Sequence, residues 1–177
     1  MQAFASVTGH LALSDFATAI QDSFSKLAKV PYRLLLSMEL CASAEFELDS
    51  RAKLILLVSA VEALAEQEEY GNAVQDLINS IQPLISDSAI EDDSIKSSIL
   101  GQVKNLKRES VRRAIKRKLS EAGFTDEELA FVEEAYGARS KVVHEGLRVP
   151  ELAAMASELD KLIRRLYTHE IESLSLQ

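Results

Sequence analysis

The sequence predicts an all-α protein, an up-and-down helical bundle with an additional N-terminal helix, and three observations carry that prediction. Only 6 Gly and 3 Pro punctuate 177 residues, too few for a chain of short strands and tight turns. Ala, Leu, Glu and Lys, all good helix formers, are abundant. Apolar residues recur at three- and four-residue intervals, and no stretch alternates as a half-buried strand would. With 47% hydrophobic and 27% charged residues, the chain can bury a proper core. The expected organisation is a loose segment over 1–13 followed by one helical domain over 14–177.

Ser14 and Asp15 offer N-caps for a first helix, whose Phe16, Ile20, Phe24 and Leu27 recur at helical spacing. Pro31 opens a second that runs to about Glu47, with Leu34, Leu35, Met38 and Cys41 on one side. Asp49 or Ser50 caps a third, from Arg51 to about Glu68. Its Leu54, Leu57, Val58, Val61, Leu64 and Ala65 form one broad stripe, so it is expected to be the central core helix. Gly71 and Asn72 break the run, and a helix with Val74, Leu77, Ile78 and Ile81 follows to Pro83. Residues 86–94 are polar and acidic and read as a loop. Val103, Leu106, Val111, Ile115 and Leu119 give the apolar stripe of a further amphipathic helix, ended by Gly123. Thr125 with Glu128 makes a capping box for the helix leading to Tyr136, from which Leu129, Val132 and Tyr136 face inward. The last helix begins near Pro150 and carries Leu152, Met155, Leu159, Leu162 and Leu166 as core or dimer positions.

The sharpest charge shift lies between Lys104 and Lys118. Lys104, Lys107, Arg108, Arg112, Arg113, Lys116, Arg117 and Lys118 stand against Glu109 alone, a local charge of +7 in a chain of net charge −8, so the remainder carries −15. One reading is a solvated face balancing acidic neighbours such as Glu127, Glu128, Glu133 and Glu134. The other is a track for phosphates, with Arg112, Arg113 and Lys116 in contact with a nucleic-acid backbone. Few aromatics lie nearby, so backbone contact rather than base stacking would dominate.

Other chemistries find little support. Cys41 is the single cysteine; it has no internal disulfide partner, and among apolar helical residues it reads as a small core residue rather than a thiolate. A reducing cytosol is the expected compartment. The first residues lack a signal-peptide pattern and no apolar run is long enough for a membrane span, so a cytoplasmic protein is expected. His10, His144 and His169 are scattered, and no Gly-rich phosphate loop or GxSxG elbow occurs. No metal or cofactor is expected.

Tyr136 to Gly146 reads Tyr-Gly-Ala-Arg-Ser-Lys-Val-Val-His-Glu-Gly. Arg139 and His144 stand with four residues between them, Lys141 inside and Arg148 just beyond. An imidazole moves protons in either direction near neutral pH, and a guanidinium holds an anionic oxygen with fixed donors, a pairing suited to phosphoryl transfer. On an ideal α-helix, positions 139 and 144 lie about 140° apart and share no face. Tyr136, Ser140 and His144 do share one. Either the helix is irregular here, or the two side chains meet around a groove partly built by another element or another subunit. Gly146, a helix-closing residue, would leave His144 at a helix C-terminus, where a protonated imidazole is favoured.

Arg139, His144, the preceding Tyr136, the Val143-His144-Glu145-Gly146 ending and an acidic Glu62 inside the apolar run Leu57-Val58-Ser59-Ala60-Val61-Glu62-Ala63-Leu64 together resemble the HEPN superfamily, especially its ApeA-like branch. The likeness spans roughly residues 31 to 170. It implies a HEPN-like bundle whose Arg-x4-His motif cuts RNA without a metal, at a cleft shared by two protomers. His144 would then act as acid or base, Arg139 would stabilise charge on the transferring phosphate, and the RNA 2′-hydroxyl would be the nucleophile. Lys141 and Arg148 would join Arg112, Arg113 and Lys116 in binding RNA, with Glu62, Tyr136 and Ser140 in support. Glu62 would face the motif, whereas by itself a lone Glu there reads as a carboxylate at the solvent boundary. Ser140 departs from the more polar Asn, Asp or His that often follows the Arg. The resemblance also implies a homodimer, a role in defence or stress and a possible antitoxin or other protein partner. The alternative is a non-catalytic HEPN scaffold that binds RNA, a nucleotide or another protein.

Overall fold

The computed structural model describes Thr18, residues 30–146 and residues 150–175. The predicted first helix, Thr18 apart, and Arg148 fall outside the described residues. The chain divides into Met1–Tyr32 and Arg33–Gln177, and the second unit builds the bundle. Its elements are α1 (Tyr32–Glu45), α2 (Ser50–Leu64), α3 (Asn72–Ser86), α4 (Asp93–Asn105), α5 (Val111–Glu121), α6 (Asp126–Ser140), a π-helical turn (Lys141–Glu145) and α7 (Leu152–Ser175). The protein is all-α, and no described helix is long and apolar enough to cross a membrane.

The helix starts follow from short polar side chains that satisfy otherwise unpaired N–H groups. Asp49 accepts from the Arg51 amide at 2.8 Å, Asp92 from Ser94 at 2.8 Å and Ser110 from Arg113 at 3.2 Å. Thr125 and Glu128 form the reciprocal capping box. Gly123 sits at φ 76° between α5 and α6, a left-handed conformation that costs glycine little.

α2 is the central helix. Leu54, Leu57, Val58, Val61, Leu64 and Ala65 are all buried, as the stripe predicts. α2 packs on α5, α6 and α7, whose facing residues include Ile115 and Leu119, Val132 and Ala135, and Leu159, Ile163 and Leu166. α1 is joined by a buried polar cluster. The Ser37 hydroxyl donates to the Ala60 carbonyl at 2.7 Å, and the Tyr167 hydroxyl donates to the Ser37 carbonyl at 2.7 Å. Cys41 is a buried core residue whose Sγ lies 3.4 Å from Asp160 Oδ1. Burial, with Asp160 beside it, pushes the thiol up to about 11, so it stays neutral.

Three helix boundaries differ from those the sequence predicts. The third predicted helix stops at Leu64 rather than near Glu68, because Glu68 and Glu109 exchange main-chain and side-chain hydrogen bonds with each other instead. Pro83 lies inside the last turn of α3, so the helix runs on to Ser86 without the one intrahelical bond that an N–H at 83 would have donated. The basic stripe from Val103 to Leu119 is two helices, since α4 ends at Asn105 and Ser110 caps α5. Of the apolar residues Val74, Leu77, Ile78 and Ile81 of this helix only Ile78 is buried; Val74 is 36% and Leu77 59% exposed. α3 and α4 pack on each other as a hairpin.

The hairpin is tied to the bundle at its neck. Glu69 and Arg108 form an antiparallel bridge, the Tyr70 amide donates to the Lys107 carbonyl at 2.8 Å, and the Glu109 amide donates to the Glu68 carbonyl at 2.9 Å. The Glu109 side chain is buried. Its Oε1 accepts from Arg117 Nη2 at 2.7 Å and Nε at 3.2 Å, and from the Glu68 amide at 3.1 Å. The Arg117 hydrogen bond holds this carboxyl below its ordinary value of 4.5. A depressed folded value means the stabilisation is fully present above the ordinary carboxyl range and is lost as pH falls through the folded value. Acid should therefore open the neck early. Hydrogen exchange at the Tyr70 and Glu109 amides, corrected for intrinsic rates, is expected to lose protection on acidification before the Leu159 amide in the core does.

Candidate functional site

Two helices and one irregular turn carry the predicted residues. Glu62 lies near the end of α2, and Arg139 lies one residue before the end of α6. Arg139 Nη2 stands 3.7 Å from Glu62 Oε2, with both side chains 23% exposed. Glu62 thus faces Arg139, and does not sit at an unpartnered solvent boundary. The separation is long for a hydrogen bond, so the contact is chiefly coulombic. Arg139 Nε is buried without a hydrogen-bond partner. An unsatisfied buried donor carries a desolvation penalty that a suitably placed acceptor would remove.

His144 sits in the π-helical turn, which begins where α6 ends. The Gly146 amide donates to the Lys141 carbonyl, an i→i+5 closure, and Gly146 adopts φ 64° as the left-handed cap. A turn closed at five residues brings positions five apart toward one line, where an α-helix would splay them. The helix is thus irregular at His144, while Arg139 lies before the π turn in the regular part of α6. His144 and Lys141 are exposed, and Ser140 is half-buried. Among the described residues no hydrogen bond or ion pair joins Arg139 to His144.

Arg112, Lys116 and Tyr136 fall on the α5–α6 face, and Arg113 lies toward the neck. The Arg112 guanidinium lies 5.4 Å from the Tyr136 ring centroid and 3.5 Å from Glu133. Arg112 and Lys116 line a shallow groove with Tyr136 and Glu133. Arg113 stacks over Tyr70 at 5.5 Å and lies 3.9 Å from Glu109. Arg117 contacts Glu68, Glu109 and Glu121, and Lys118 pairs with Glu170 at 2.7 Å. Much of the basic segment is thus met by acids of the same chain. Of the acids predicted to balance it, Glu133 does so, while Glu128 is held by Arg165 at 2.6 Å. Lys116 and Lys141 carry no ion pair among the described residues.

Behind Glu62 opens a cleft of about 340 Å³, lined by Arg33, Glu62, Ala65, Glu66, Gln67, Arg108 and Val111. Arg33 and Gln67 carry no signal in the sequence that would link them to this place. Arg108 belongs to the basic segment, but only the neck, by folding 108 back beside 69, sets it near Glu62.

Gly146 offers a direct check on the turn. A Cβ there would meet nothing within 4 Å, so a substitution tests backbone conformation alone. Gly146→Ala is expected to lower the unfolding free energy in urea by about 1 kcal/mol, while Gly146→Asn, which tolerates the left-handed region better, loses less.

No protein-family profile, curated protein or solved structure matches this chain.

Proposed function

We propose that the chain is a HEPN-like, metal-independent RNA endonuclease acting as a cytoplasmic homodimer, with Arg139 and His144 as its reacting pair. The observation that carries this reading is the state of Arg139. A guanidinium at the end of α6 has one carboxylate within ion-pair range and a buried Nε donor left over, and the π turn that follows in the chain carries an exposed imidazole.

In the proposed reaction the RNA 2′-oxygen attacks the adjacent phosphorus and loses its proton to a general base. The bond from phosphorus to the 5′-oxygen breaks, and that oxygen takes up a proton from a general acid. His144 fills one of these proton-transfer roles, and its counterpart from the second protomer offers the other. Arg139 meets the charge that develops on the non-bridging oxygens. Glu62 orients Arg139 by attraction from α2. Lys116 and Lys141 supply phosphate contacts, and Arg112 and Arg113 divide their charge between RNA and Glu133 or Glu109.

A second reading, a non-catalytic RNA-binding or protein-binding scaffold, is favoured by the same ion pairs, because charges already matched within the chain need no substrate to account for them. The two readings separate on one assay. The purified protein is expected to cut single-stranded RNA in the presence of a chelator, leaving 2′,3′-cyclic phosphate ends, and to spare a strand lacking the 2′-hydroxyl at the cut site. His144→Ala should lower the cleavage rate by roughly 10²- to 10⁴-fold with RNA affinity nearly unchanged. Arg139→Ala should lower it comparably. Cleavage that survives His144→Ala, or that requires a divalent ion, would overturn the mechanism; RNA binding without any cleavage would favour the scaffold.

A further inference from the structure

The cleft behind Glu62 holds groups that the proposed cleavage does not use. Its lining sets two guanidiniums, Arg33 and Arg108, against two carboxylates, Glu62 and Glu66. About 340 Å³ is room for one aromatic base, at the small end of organic-ligand sites. Two carboxylates in the lining repel a phosphate, so a strand's backbone is not what enters. A neutral group with N–H donors is what they accept.

The chain positions these groups and leaves them unsaturated. Glu62 is drawn to Arg139 at 3.7 Å. Glu66 meets Arg33 through one oxygen at 3.5 Å, with the two side chains 72% and 53% exposed, a pair that water and salt weaken. Its second oxygen carries no hydrogen bond among the described residues. The backbone beneath is fixed by the neck: the Glu66 carbonyl accepts from Arg117 Nη2 at 2.8 Å, and Gln67 Nε2 donates to the Glu109 carbonyl. Arg108 is held by its main-chain bridge to Glu69. Its side chain is exposed and carries no ion pair among the described residues.

We propose that this cleft takes the guanine base of the nucleotide next to the cut, with Glu66 accepting from N1–H and the 2-amino group and Arg108 donating to O6 and N7. The inference rests on the nuclease reading, because Arg139, one carboxylate away across Glu62, is the group that meets the scissile phosphate. Guanine is selected by its edges. A carboxylate presents two acceptors side by side, and of the four RNA bases guanine alone presents two adjacent donors to match them. Adenine and cytosine place a ring-nitrogen acceptor beside their amino group, and uracil flanks its N3–H with carbonyls, so each turns a lone pair toward the carboxylate. Guanine O6 and N7 form the acceptor pair that a guanidinium fork fits. Arg33 lines the same cleft and offers a planar guanidinium to the ring face.

Binding, measured apart from cleavage, tests the assignment. Short single-stranded RNAs of uridines with one central guanine, hypoxanthine or adenine are titrated into His144→Ala. The guanine strand is expected to bind roughly 10-fold more tightly than the adenine strand, and the hypoxanthine strand, which lacks only the 2-amino donor, falls between them. In the same background Glu66→Gln, which replaces an acceptor by a donor, and Arg108→Ala, which removes the fork, should each bring guanine to the level of adenine. Both side chains are exposed, so the circular dichroism spectrum should not change. In the wild type the same preference should appear as cuts beside guanosines, always on one side. Equal affinity for the three strands, or a guanine preference that persists in either variant, would overturn the subsite. A guanine preference in binding without cleavage by wild type counts against the nuclease alone. Cleavage without base preference counts against the subsite alone, and absence of RNA binding overturns both.

Discussion

The buried carboxylate of Glu109 is the constraint on which the arrangement of this chain depends. A charge removed from water must be matched by donors, and Glu109 finds them in Arg117 on the helix that follows and in the Glu68 amide from beyond the central helix. Satisfying it pins the end of α2 to the start of α5. The α3–α4 hairpin then leaves and re-enters the bundle at one narrow neck. Had α2 continued as helix through Glu68, the Glu68 N–H would have been spent on a local bond and the carboxylate would have been left with one partner fewer.

That neck also sets the surroundings of Glu62. The carboxylate lies just before α2 gives way to the extended residues leading to the bridge, so it has Arg139 on one side and the cleft with Arg33 and Arg108 on the other. Arg139 is held by attraction across two helices rather than by neighbours on its own, which leaves the π turn free to set His144 separately. The turn ends at a glycine in the left-handed region, and the backbone there, more than any side-chain contact, orients the exposed imidazole.

The charges of the basic segment are mostly apportioned within the fold. Arg112, Arg117 and Lys118 each reach a carboxylate from another part of the chain, and Arg113 lies near Glu109 within the segment itself. Exposed pairs such as Arg112 with Glu133 contribute little to stability, and salt weakens them. They still lower the positive potential that a phosphate backbone would meet. Among the described residues, the basic groups of this segment and the motif that carry no ion pair include Lys116 and Lys141, a smaller patch than the count of Lys and Arg suggests.

Local physics was sufficient for much of this. Periodicity and scarce Gly and Pro specified an all-α chain; the stripe from Leu54 to Ala65 identified the core helix; Thr125 with Glu128 and Gly123 marked boundaries, because caps and left-handed turns act over three or four residues. Arg139 and His144 were legible as a pair of suitable chemistry, and Gly146 as the end of their helix. What surrounds them was decided only in three dimensions. The helix ends at Leu64 and Ser110 depend on hydrogen bonds between residues some forty positions apart. The π turn differs from an α-turn by one step in hydrogen-bond register, which side-chain pattern does not report. Glu62 could be read as a solvent-boundary residue until α6 was packed against α2. The apolar face of α3 was legible as apolar, but amphipathicity states which side avoids water and not what covers it, and tertiary packing covered Ile78 while leaving Leu77 and Leu84 exposed.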